Sequence, residues 1–167
     1  MKENDQNGLR VSMESPQSGW MAMSLQAGEQ NLALCVSHAP CDSLLDLMNA
    51  LSIVLTSGGE SSVRWNCEPD EYDFKFTLRD DKVQLAVSHF PGHARKKIDG
   101  QVVFSLQDSA LLICLPFWTA LRDLRRRVEV NEFARHWRRD FPYEAMQRLT
   151  KAVKAAKRNG ASFTHAD

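Results

Sequence analysis

The stretch from Ser61 to Phe90 constrains this chain most, because polar and apolar side chains alternate through three consecutive segments. Val63, Trp65 and Cys67 alternate with Arg64 and Asn66. Tyr72, Phe74, Phe76 and Leu78 alternate with Asp73, Lys75 and Thr77. Val83, Leu85 and Val87 alternate with Gln84, Ala86 and Ser88. A period of two marks half-buried strands. With Glu68-Pro69-Asp70-Glu71 as the first turn, Cys67 faces Tyr72, Trp65 faces Phe74 and Val63 faces Phe76. With Asp80-Asp81 as the second, Leu78 faces Val83, Phe76 faces Leu85 and Phe74 faces Val87. All apolar groups then share one face, an agreement that a one-residue slip destroys.

The flanking segments supply more strands and the helices. Trp20–Leu25 and Asn31–Ser37 read as a hairpin around Gln26-Ala27-Gly28-Glu29, and Val102, Phe104 and Leu106 as one further strand. Asp42 or Ser43 can cap a helix whose buried face holds Leu44, Leu47, Met48, Leu51, Val54 and Leu55, stopped by Gly58-Gly59. After Asp108-Ser109 the chain turns helical. Ala110–Leu115 is expected as a short helix interrupted or restarted at Pro116. Helical segments follow from Phe117 to Val128 and from Glu129 to Arg139. A last helix opens at Phe141-Pro142 with Asp140 as its cap and stops at Asn159-Gly160. The expectation is an α+β fold: an antiparallel sheet of about six strands (ββαββββ) packed against one internal helix and two or three C-terminal helices. Residues 1–18 are expected as a mobile tail, 19–160 as a single domain and 161–167 as a C-terminal tail.

The 167 residues suit one domain. No apolar run reaches the roughly 18 residues of a membrane span. The polar N-terminus lacks the apolar core of a secretory signal, and the four cysteines are scattered. A cytoplasmic protein is expected. The net charge of zero hides an asymmetry: residues 1–117 hold 9 basic and 15 acidic residues, residues 118–158 hold 12 basic and 5 acidic. Such a split points to a nucleic-acid surface, a membrane surface, or two halves that attract each other.

The run Trp65-Asn66-Cys67-Glu68-Pro69-Asp70-Glu71-Tyr72, with Trp137 to Phe141-Pro142 near the end, resembles a pattern in small uncharacterised bacterial proteins. These carry a Trp-x-x-Glu-Pro-x-Glu-Tyr hairpin, a leucine-rich helix before it and a C-terminal Trp-x-x-x-Phe-Pro segment. The resemblance implies a bacterial source and a similar fold, and carries no catalytic residue. Small bacterial proteins of this size include immunity and accessory factors, an analogy of scale alone.

The side chains that could carry chemistry are few. Cys35-x-x-His38-x-x-Cys41 has a metal-like spacing but needs a distant ligand such as His89 or His93. Glu68, Asp70, Glu71 and Asp73 cluster at one turn, where a solvated hairpin end or acidic recognition of a basic partner outweighs acid–base catalysis. No nucleophile elbow, phosphate loop or dinucleotide fingerprint accompanies the five histidines, so catalysis and a cofactor are not expected. Arg122, Arg125, Arg126, Arg127, Arg135, Arg138 and Arg139 could follow a phosphate backbone, with Trp118 and Trp137 as stacking surfaces. The first expectation is therefore a non-catalytic protein-binding, accessory or immunity-like module, using Glu68, Asp70, Glu71, Arg122, Arg125 and Arg126. The alternatives are a nucleic-acid-associated regulator acting through the C-terminal helices, and a small-molecule binder or enzyme using His89, Glu68 or Glu71.

Overall fold

The computed structural model describes residues 7–92, 95 and 97–162. The chain forms β1 (Arg10–Met13), β2 (Trp20–Ala27), β3 (Gln30–Ser37), α1 (Ser43–Thr56), β4 (Ser61–Asn66), β5 (Glu71–Arg79), β6 (Lys82–Phe90), β7 (Gln101–Asp108), α2 (Ala110–Arg127), α3 (Val130–Trp137) and α4 (Tyr143–Ser162). The α+β class is as expected. The strands, however, form two antiparallel sheets, β1-β2-β3 and β4-β5-β6-β7, in place of one six-stranded sheet.

The extra strand lies in the segment read as a mobile tail. Leu9 and Met13 are buried, and β1 pairs with β2 through Arg10↔Gln26 to Met13↔Met23. A segment so polar overall orders because its few apolar groups reach the core and the backbone of β2 takes its hydrogen bonds. Residues 1–6 and 163–167, and with them most of the C-terminal tail, lie outside the described residues.

The central meander has the expected face, with one change of register. Trp65 pairs with Tyr72 and Val63 with Phe74, a slip of two residues from the expected pairing. The turn spans Cys67 to Asp70, closed by Cys67 N–H donating to the Asp70 carbonyl at 2.8 Å, while Asn66 Oδ1 accepts from Glu68 N–H at 3.1 Å. A slip of two preserves facing. The second turn is as expected: Phe76 pairs with Leu85, and Asp80 and Asp81 both adopt positive φ, +49° and +63°. Two left-handed residues give the twist that two adjacent strands need.

Trp65, Phe74, Phe76, Leu85 and Val87 are buried and form the floor for the helices. Phe117 of α2 meets Phe74 and Phe76 with ring centroids 6.4 and 6.0 Å away. Met21, Met23 and Leu25 of the smaller sheet complete the same core. Side chains fasten the outer strands. Ser43 Oγ donates to the Arg64 carbonyl, and an Arg127 Nη2–H to the Met13 carbonyl, both at 2.5 Å. The Gln30 amide donates to the Ser105 carbonyl at 2.9 Å and accepts from its N–H at 3.0 Å.

The helices depart from expectation at three points. α2 continues through Pro116. The carbonyl that proline leaves without a donor is that of Leu112, on the exposed side of the helix, where solvent can serve it. The first α4 bond runs from Met146 N–H to the Pro142 carbonyl at 2.9 Å, which places Asp140 before the cap position. α4 continues past Asn159-Gly160 to Ser162. No helix among the described residues is long and apolar enough to cross a membrane.

Candidate functional site

The acidic turn between β4 and β5 is drawn into the scaffold. Asp70 Oδ2 meets His89 Nε2 at 2.8 Å, and Asp70 Oδ1 accepts from Gly92 N–H at 2.8 Å. These bonds, the Gly92 amide first and His89 second, hold the Asp70 carboxyl below its ordinary range. His89 stacks on Tyr72 with centroids 4.8 Å apart. Three positions after Gly92, Arg95 donates to both Asp73 oxygens at 2.6 and 2.8 Å, and also to Glu71. Its guanidinium lies 3.9 Å from the Phe90 ring centroid. Asp73 raises the Arg95 pKa most, burial opposes it, and Glu71 adds to it. Asp70 and Glu71, expected to meet a basic partner, hold the chain after β6 against the sheet. Among the described residues, Glu68 accepts only from Asn66 Nδ2, at 3.3 Å.

The metal-like triplet is not assembled. Cys35 and Cys41 are exposed, whereas His38 Nδ1 sits 3.1 Å from the Gly19 carbonyl and its ring packs edge-on to Trp137. No group of three or more His, Cys, Asp or Glu side chains able to hold a metal ion occurs among the described residues. His93, the distant ligand considered with His89, lies outside them. Cys67 and Cys114 have thiols pushed up to about 12, in both cases mainly by burial.

A groove of about 620 Å³ between α1 and the start of α4 mixes Asp42, Asp140 and Glu144 with Arg139 and Arg148. Arg139 donates to the His38 carbonyl at 2.6 Å and the Pro40 carbonyl at 3.0 Å. Glu68 and Glu71 line a smaller hollow of about 430 Å³, which His89 does not.

The C-terminal helices present a different surface. Trp118, Arg122 and Arg125 recur at the i, i+4, i+7 spacing of one helical stripe on α2, and Thr150, Lys154 and Lys157 do so on α4. Trp118 Nε1–H donates to Thr150 Oγ1 at 3.0 Å and ties the two stripes together. Arg122 lies 4.9 Å and Lys157 5.3 Å from the Trp118 ring, and Arg125 5.8 Å from the Tyr143 ring. Among the described residues, the one carboxylate paired with Arg122, Arg125, Lys154 or Lys157 is Asp123, 3.1 Å from Arg122. Arg126 is exposed on α2. Arg127 and Arg139 bond to carbonyls of the fold, and Arg135 pairs with Glu132 at 2.5 Å. The proposed stacking surfaces are closed: Trp118 is 9% exposed and Trp137 1%. The sequence reading missed Lys154 and Lys157, whose signal was their spacing from Thr150, and missed Arg95, a cation in the glycine-bearing loop after β6.

No protein-family model matches the chain, and no curated protein matches it. A solved structure titled as a CdiA-CT/CdiI toxin and immunity complex from Enterobacter cloacae is similar to it. The identity is 12%, the TM-score is 0.44, and the match covers 69% of this chain and 99% of that chain.

Proposed function

We propose that this protein is a non-catalytic protein-binding module, acting as an accessory or immunity-like factor that covers another protein. The observation that carries the reading is the row of cations along the α2–α4 seam, held over aromatic rings on two packed helices, with Asp123 the one carboxylate paired to them among the described residues. A charged group fixed on a rigid helix serves recognition, because little side-chain freedom remains to be lost on docking. The groups with catalytic potential are engaged elsewhere: Asp70 with His89 and Gly92, Glu71 and Asp73 with Arg95. The test is co-expression of the tagged protein with the products of its flanking genes, followed by size-exclusion chromatography and titration. A stoichiometric complex with one of them is expected, together with protection of the host where that product is toxic. Failure of both products to bind at micromolar concentration would remove the reading.

A further inference from the structure

We infer that the α2–α4 seam is a docking strip for an extended, acidic polypeptide segment of the partner, an inference that rests on the protein-binding reading above. The strip has a length. From Tyr143 to Lys157 a helix rises about 20 Å, and an extended chain of about six residues spans the same distance. Four cations mark it: Lys157 and Arg122 beside Trp118, Lys154 on the same α4 stripe, and Arg125 beside Tyr143. The Trp118 ring is covered by Arg122, Lys157 and its bond to Thr150, and Tyr143 is half-buried, so the strip offers mainly charge and N–H donors.

That closure decides between the two anionic macromolecules that could lie here. Single-stranded nucleic acid draws much of its affinity from bases stacked on open aromatic rings, and Trp118 is 9% exposed. A duplex calls for a wide positive field, whereas this chain has no net charge and an acidic sheet half. Carboxylates on a flexible chain need neither condition. They meet guanidinium and ammonium groups one at a time: Arg125 can present a donor fork to a carboxylate, and Arg122 the guanidinium edge that Asp123 leaves open.

A fluorescein-labelled octaglutamate peptide, octathymidylate and a short DNA duplex, titrated by anisotropy at about 50 mM salt, test the inference. Measurements cover the full chain, the Arg122→Glu/Lys157→Glu variant and the off-strip variant Arg135→Glu, with folding checked by circular dichroism. Saturable binding of the peptide is expected, about tenfold or more weaker in the double variant and within about twofold in Arg135→Glu. Absence of peptide binding, a smaller loss in the double variant, an equal loss in Arg135→Glu, or tighter binding of either oligonucleotide overturns it. If the flanking-gene product binds wild type and the double variant alike, the module is still a binder and this strip is not its docking surface.

Discussion

Truncation of Phe74 tests the arrangement on which the whole fold is built. Its side chain is fully buried, with ring centroids 6.1 Å from Trp65 and 6.4 Å from Phe117. Phe-to-Ala changes in cores cost about 3–5 kcal/mol, and the loss of two aromatic neighbours places Phe74→Ala in the upper half, about 4–5 kcal/mol. For a domain of this size that lowers Tm by roughly 10–20 °C. Leu78 is the internal control. It lies on the same strand and the same alternating face but is 49% exposed, so Leu78→Ala is expected to cost about 1 kcal/mol or less. Urea unfolding followed by tryptophan fluorescence and far-ultraviolet circular dichroism gives both values, provided the slopes agree with wild type. Should Phe74→Ala not fold, Phe74→Leu is expected to fall between the two. A Phe74→Ala cost below about 1 kcal/mol, or one no larger than that of Leu78→Ala, refutes the packing of α2 on the meander.

Three further outcomes follow from the acidic turn and the thiols. Arg95→Met removes the donor shared by Asp73 and Glu71 and is expected to cost about 1–2 kcal/mol by urea denaturation, with faster amide hydrogen exchange around Gly92. The carboxyl of Asp70 titrates below its ordinary value of 3.8, so its stabilisation is complete above that pH and is lost as the pH falls through the lower folded value. The gap in urea midpoint between wild type and Asp70→Asn is therefore expected to close as the pH falls into the acid range. Under native conditions Cys35 and Cys41 should be alkylated first, Cys67 slowly and Cys114 only on unfolding, as read by peptide mass mapping.

The parts of the fold governed by periodicity were legible before any coordinates. Phe74, Phe76 and Trp65 announced their common face, and Leu44, Leu47 and Leu51 theirs, because burial repeats at the period of the element. The division into two sheets was not legible, since period two reports which face a strand buries and says nothing of its neighbours. β1 escaped because Val11 and Met13 are too few to outweigh the polar residues around them in a sequence window. Pro116 misled because a proline inside a helix is tolerated where the carbonyl it strands lies on the exposed side and can turn to solvent. At the candidate site, clustering of Asp70, Glu71 and Asp73 was visible in the sequence. Their engagement by His89 and Arg95 was not, being a pairing across about twenty residues that hinges on how the chain returns after β6. The cation row was half visible: Arg122 and Arg125 belong to a dense local series, whereas Lys154 and Lys157 join it only once α4 lies beside α2.

The Gln30 amide has a consequence for how this molecule behaves at high concentration. A carboxamide side chain carries the same donor and acceptor as a peptide unit, so at Ser105 it imitates one rung of a neighbouring strand. The last strand of the larger sheet holds no charge from Gln101 to Gln107, and Val102 is 56% exposed there. Such a margin would otherwise invite another polypeptide to zip onto it and seed a growing polymer. Occupying the rung at Ser105 caps that growth with a side chain from the protein's own hairpin, at no cost in solvent-exposed charge.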